Sequence, residues 1–391
     1  MLKLYAIYVY LSRKGLLMSH IHVCLVSGQS IPNLIPLKME DLAPQRVILL
    51  VSPDMEIQAD RIEKVMKSWK IEVERYPISP YNLYSARKTC LLDKFKGESI
   101  TLNVTGGTKI MALAAFEVFR EMKKPIIYVD TQNKEIQRLS PQFEKIKFKG
   151  VIEVKPYLAA YGQNIIKENA DMEIIKKHRP VIHKLVSEIS RLEKPVSFMN
   201  RYSAPLRNVK TFPLEIEIAE NDLTQPAFVE LLMLFHKHDI VEKRDRKLIF
   251  SNSVDVHFVS GGWLEEYVYS VLSSVSNTDA KIGVTVEWDQ HGPRPPTNEY
   301  DVIFTCNNQL YLIECKTKRF MGEDRELEGA DPIYKLDSLR DAAGGLFGKG
   351  MLVSYKKLTD DQKKRLKANK LNYCDHSYLK SFRQKIKEWI K

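Results

Sequence analysis

Residues 298–316 read NEYDVIFTCNNQLYLIECK. Two runs of strand-forming residues, YDVIFTC and QLYLIECK, flank Asn307-Asn308. Asparagine tolerates positive φ, so the pair predicts a two-residue hairpin turn. With that turn Cys306 pairs with Gln309. Each step back along one strand then matches a step forward along the other, and Asp301 falls opposite Glu314. Opposed residues share a face, with Cβ atoms about 4.5–5.5 Å apart.

Two carboxylates so close repel each other unless positive charge lies between them. A hard divalent cation such as Mg²⁺ or Mn²⁺ suits oxygen donors. Lys316 lies two residues beyond Glu314, so strand alternation puts it on the same face. The set reads as a site for in-line phosphodiester hydrolysis: a metal polarises the phosphoryl oxygen and acidifies water, and an ammonium orients the attacking water. A bare E-x-K is common on exposed strands. The apolar flanks here, the opposed Asp301 and an acidic helix upstream set this one apart.

That helix is GGWLEEYVYSVLSSV. Glu265 shares a face with Val268, Tyr269 and Leu272, whereas Glu266 shares one with Ser270, Ser273 and Ser274. The apolar companions turn Glu265 toward the sheet as a further metal or water ligand, and Glu266 is expected to be solvated. Glu265, Asp301, Glu314 and Lys316 together resemble the PD-(D/E)xK nuclease superfamily over roughly residues 258–355. Tyr300 stands where that family usually has Pro. The resemblance implies a restriction-endonuclease-like α/β domain, assigned to residues 256–391.

Working outward, residues 20–140 alternate between short apolar runs (HIHVCLVS, RVILLVS, IEVERYPI, SITLNV, KPIIYVD) and amphipathic stretches. This predicts a parallel, Rossmann-like sheet covered on both faces, within a domain spanning residues 18–160. Between the fourth strand and its helix lies N103VTGGTK109. Adjacent glycines admit a ligand close to the backbone, and the helix N-terminus favours phosphate. The motif matches neither a P-loop nor a dinucleotide fingerprint. The loop S27GQSIPN33 follows the first strand. Loops at strand C-termini converge on one crevice. Ser27, Gly28, Gln29 and Asn33 are therefore candidate ligand contacts beside Thr105, Gly106, Gly107, Thr108 and Lys109, with Asp130 and Thr131 near the same edge.

Residues 161–255 are read as a helical connector. Two helical stretches precede DIVEKRDRKLIFSN, a strand, charged turn and strand, and this order resembles a winged helix. The formal charge of +11 and pI near 9.1 favour a polyanionic partner such as nucleic acid. Five cysteines without C-x-x-C spacing argue against a zinc or disulfide framework and suit a reduced, cytoplasmic setting. No apolar run reaches transmembrane length, and residues 1–17 are read as an extension outside the fold.

A Rossmann-like domain carrying T-G-G-T-K ahead of a PD-(D/E)xK domain resembles the CARF-domain ancillary nucleases of type III CRISPR systems (CARF, CRISPR-associated Rossmann fold). The resemblance implies a homodimer whose paired CARF domains bind a cyclic oligoadenylate, most often cyclic tetra-adenylate. Binding would activate Mn²⁺- or Mg²⁺-dependent cleavage of DNA, RNA or both, with low sequence specificity. Gly106, Gly107, Thr108 and Lys109 carry over to ligand binding, as do Ser27, Gly28, Gln29 and Asn33 on the less fixed first loop. The connector would couple sensor to nuclease. Two alternatives stand beside this: a ligand-responsive transcriptional regulator without cleavage, and a stand-alone repair or restriction nuclease.

Overall fold

Strand β1 (Ile21–Leu25) is buried along its whole length, as the unbroken apolar run in its sequence requires of a strand covered on both faces. The computed structural model describes residues 20–92, 95, 99–150, 152–169, 171–206, 209, 211–289, 295–318 and 331–391. The stretch 1–17, read as an extension, lies outside the described residues. By contact density the chain divides into two compact units, Met1–Asn164 and Ile165–Lys391.

In the first unit, β1 is joined by β2 (Arg46–Val51), β3 (Glu72–Pro77), β4 (Ile100–Asn103) and β5 (Ile126–Asp130). The hairpin β6 (Glu135–Ser140) and β7 (Glu144–Lys147) extends the sheet. The order is β3-β2-β1-β4-β5-β6-β7. Pairing is parallel through β5 and antiparallel beyond it. Helices α1 (Glu56–Ser68), α2 (Leu83–Cys90) and α3 (Lys109–Glu121) alternate with the strands. Strand order reverses between β1 and β4, so the loops after these two strands flank the topological switch point, where open α/β sheets bind ligands.

Strand β8 (Gln163–Lys167) crosses the boundary at Asn164 and forms one edge of a six-stranded mixed sheet. Helices α4 (Met172–Ser187), α5 (Ile189–Ser203) and α6 (Pro226–Lys237) follow, with strands β9 (Leu214–Glu217), β10 (Glu242–Arg244) and β11 (Lys247–Phe250). These strands form a small antiparallel sheet, β10-β11-β9, beside the helices. Its side chains do not form a separate core. One apolar cluster runs from Ile175 and Leu185 through Phe235 and Phe258 to Val302, Met351 and Phe382. After α7 (Trp263–Leu272) come β12 (Thr278–Trp288), β13 (Thr297–Cys306), β14 (Gln309–Lys316), α8 (Pro332–Gly344), β15 (Lys349–Ser354), α9 (Asp360–Ala368), β16 (Asn372–Cys374) and α10 (Phe382–Trp389). The sheet order is β16-β15-β14-β13-β12-β8. The five cysteines are buried as thiols. No described helix is long and apolar enough to cross a membrane.

Candidate active site and ligand-binding loops

The turn between β13 and β14 is built by Asn307 (φ 51°) and Asn308 (φ 62°). Both residues at positive φ define the turn whose twist matches a right-handed hairpin. Cys306 pairs with Gln309 and the ladder runs back to Val302–Ile313. Asp301 and Glu314 stand one step beyond. There the Asp301 carboxylate takes the Cys315 backbone N–H at 2.7 Å. The Lys316 ammonium lies 2.6 Å from Glu314 and 3.9 Å from Asp301. One cation therefore touches both acids.

Asp301 and Lys316 open into a cavity of about 380 Å³, whose lining also includes His257, Glu265, Glu299 and Lys318, with Glu314 buried behind it. Glu265 enters from the first turn of α7, 3.5 Å from His257 Nε2. The chain reaches α7 through a π-helical turn, Phe258–Gly262, in which Gly261 has φ 130°. A Cβ on Gly261 would lie 2.6 Å from Thr317 Oγ1, so only glycine lets the end of β14 approach the start of this helix. Burial raises the Asp301 carboxyl to about 8, and the charges of Glu314 and Glu265 push the same way against Lys316 and the Cys315 N–H. Burial would lower the Lys316 ammonium, but Glu314 and Asp301 hold it above its ordinary value. The hydrogen bond with Glu265 raises His257. Among the described residues, no three His, Cys, Asp or Glu side chains stand as a ready-made metal cage. Glu314, only 3 % exposed, instead turns to Lys316 and to Lys335 of α8, whose ammonium lies 3.2 and 3.3 Å from its two oxygens.

Three features escape the sequence reading. Glu299 shares a strand face with Asp301, a signal that the i, i+2 spacing carried. Lys335 had none, because a long stretch separates it from β14. Glu266 corrects an expectation: it is buried, not solvated, and both its oxygens lie 3.0 Å from Nδ1 of the buried His178 on α4. The serines on its face suggested solvent, but α4 packs there and supplies a polar partner, which is what a buried carboxylate requires.

In the first unit the loops after β1 and β4 come together. A Cβ on Gly106 would lie 2.2 Å from the Leu25 carbonyl and 3.2 Å from Ser27 Oγ, and Gly107 has φ 78°. Thr108 caps α3, accepting from the Met111 N–H. Lys109 is exposed at the first turn of that helix, and Gly28 is open to solvent. Gln29 accepts from the Tyr161 hydroxyl at 3.2 Å. Asn33 and Thr105 face inward. Asn33 Nδ2 donates to the Leu25 carbonyl and its Oδ1 accepts from Asn103, while Thr105 Oγ1 bridges Asn103 and the Val129 N–H. Asp130 holds its own turn through Asn133, and Thr131 is buried.

Residues 21–157 match the family described as the Card1 CARF domain, and residues 252–391 match the Card1-like endonuclease domain. The chain carries a Card1-type CARF domain followed by a Card1-like endonuclease domain. Protein VC1899 from Vibrio cholerae has the same fold as this CARF endonuclease: 24% identity, TM-score 0.86, over 95% of this chain and 98% of that one. Can2 from Sulfobacillus thermosulfidooxidans, solved in complex with cyclic tetra-adenylate, is 28% identical with TM-score 0.75, over 95% and 99% of the two chains. A type III CRISPR defence DNA nuclease activated by cyclic oligoadenylate shares the fold at 17% identity and TM-score 0.53, over 89% of this chain and 52% of that one. No curated protein matches.

Proposed function

We propose that this CARF endonuclease is switched on by a cyclic oligoadenylate, specifically cyclic tetra-adenylate, and cuts nucleic acid with a divalent metal in type III CRISPR antiviral defence. The observation that carries the chemistry is the single Lys316 ammonium within ion-pair reach of both Asp301 and the buried Glu314, at a cavity that Asp301, Lys316 and Glu265 line. The activator rests on the full-length likeness to Can2 and its bound ring.

The residues present fit a hard cation. Asp301, Glu314 and Glu265 offer oxygen donors suited to Mg²⁺ or Mn²⁺; burial first, and then the charges of Glu314 and Glu265, raise the Asp301 carboxyl, and a bound cation would offset that crowding of acids. When bound, the metal supplies Lewis-acid polarisation of the phosphoryl oxygen and an acidified water. Lys316 orients the attacking water and offsets charge that builds on the phosphate. The Cys315 N–H fixes one oxygen of Asp301, which keeps that carboxylate aimed into the cavity. In the sensor, Gly106 and Gly107 bring backbone within reach of ligand phosphates at the N-terminus of α3, where Lys109 adds charge and Thr108 holds the first turn. Ser27, Gly28 and Gln29 form the facing loop; Asn33 and Thr105 act from beneath by holding the two loops together. A ring with repeated phosphates suits two such loop pairs across a two-fold axis, so the working form is a homodimer.

The test incubates the full chain with labelled single-stranded DNA, plasmid and RNA, with and without Mn²⁺ and cyclic tetra-adenylate. Cleavage that needs both is expected. Cleavage with metal alone points to a stand-alone nuclease, and none under any condition points to a regulator. Glu314→Ala should cut at below about one-thousandth of the wild-type rate while binding the ring normally. Lys109→Ala should do the reverse, weakening ring affinity.

A further inference from the structure

The catalytic cavity is acidic on one wall. Glu265, Glu299 and Asp301 face the space a scissile phosphate must enter. Even with a metal in place, a strand needs anchorage outside that wall, because its flanking phosphates meet like charge there. A second cavity of about 560 Å³ adjoins it, and Lys318 lines both. They are stitched together at the boundary, where Asn200 Nδ2 of α5 donates to Thr317 Oγ1 at 3.2 Å.

The second cavity has the opposite character. Among the described residues its charged lining is Lys194, Arg201, Lys318 and Lys356 against a single acid, Glu193. That acid is already engaged by Lys356, at 3.0 Å, and by His376. Lys356 is buried and spends its donors on Glu193 and Ser197, so it holds the wall rather than a ligand. Lys194 and Arg201 are exposed on α5, with their charged groups 5.6 and 5.1 Å from the Phe198 ring. Arg201 also pairs with Asp222 yet stays 59 % exposed, leaving guanidinium donors for a further anion. A basic groove that adjoins a catalytic cavity is the chemistry that holds a nucleic-acid backbone: charge for successive phosphates.

We propose that this groove on α5 holds the phosphodiester backbone of the substrate strand on one side of the cut, with Lys194, Arg201 and Lys318 as its phosphate contacts. It rests on the nuclease reading and extends it, because α5 lies outside the segment that matches the endonuclease family. A larger basic cavity, about 700 Å³ and lined by Lys363, Lys364, Lys367, Lys370 and Lys385, shares no lining residue with the catalytic one. It therefore serves as the control.

The test uses the full chain and fluorescein-labelled single-stranded DNA and RNA, in EDTA for binding and in Mn²⁺ with cyclic tetra-adenylate for cleavage. K194A/R201A should weaken strand binding about ten-fold and reduce the slope of log affinity against log salt by roughly 1.4 for two lost phosphate contacts. In cleavage, KM should rise with kcat retained. K364A/K367A removes the same charge from the control cavity and should change both far less. K194E leaves the Arg201–Asp222 pair in place and should repeat the loss, with an unchanged melting temperature showing that the fold is intact. Equal or greater loss in K364A/K367A, or a KM indifferent to both α5 variants while the wild type cuts, overturns the groove and leaves the nuclease reading standing. A wild-type chain that cuts no strand overturns that reading and the groove with it.

Discussion

Asp301 is the most electrostatically burdened residue of the site. Its carboxyl titrates near 3.8 in the unfolded chain and near 8 in the folded one. Between these values the folded state keeps a proton that the unfolded state has lost. Its contribution to stability is therefore full below about pH 3.8, declines as pH rises and is gone above about 8. In metal-free buffer, Asp301→Asn removes this dependence. Its melting temperature should gain on wild type steadily from about pH 4 to about 8 and no further, and parallel curves across that window would disprove the assignment. Metal competes with the same proton, so the Mn²⁺ concentration for half-maximal cleavage should fall as pH rises toward 8. Lys335 is the second residue to probe. Its ammonium bridges both oxygens of Glu314 from a different element. Lys335→Ala should slow cleavage by about 10- to 100-fold at saturating metal and shift the Mn²⁺ midpoint, with Lys335→Arg restoring part of the rate. An Ala variant that cuts at wild-type speed with an unmoved midpoint would leave Lys335 a surface ion pair.

At the scale of elements, two short turns set the geometry. In the sensor, the β4–α3 turn passes so close to β1 that a methyl at position 106 would press on the Leu25 carbonyl. Gly106→Ala should cost about 1–3 kcal/mol and spread the two loops. Calorimetric titration with cyclic tetra-adenylate should show weakened binding while metal-dependent chemistry at Glu314 is left intact; unaltered affinity would place the ring elsewhere. In the nuclease, the Asn307-Asn308 turn fixes the register that brings two acids to one ammonium. This hairpin was legible from residues 298–316 alone, because two αL-tolerant residues between apolar runs allow one tight pairing. The five parallel strands were equally legible from their apolar runs. Glu266 was not, since helix periodicity reports what shares a face but not which helix will cover it. Asn33 and Thr105 show the same limit: a polar residue in a switch-point loop can face the ligand or hold the loop, and only the Asn103 network distinguishes the two.

At the scale of the whole molecule, the chain pairs a sensor and an endonuclease, and the ring-shaped activator proposed here would act through assembly. A ligand shifts an equilibrium only by its differential affinity for the two states. Sedimentation of the full chain should therefore give a dimer, held more firmly with cyclic tetra-adenylate present, and a monomer at cleavage-competent concentrations would contradict this. The three helices and small sheet after β8 share their apolar core with the nuclease strands, so the second unit should melt in one transition. Inside that core, one peptide bond joins Glu265, which faces the cutting pocket, to Glu266, which His178 grips from α4. The pocket acid is thus braced from behind by its own neighbour. Positions 178 and 266 must therefore change in concert, or the brace slips and takes the pocket acid with it.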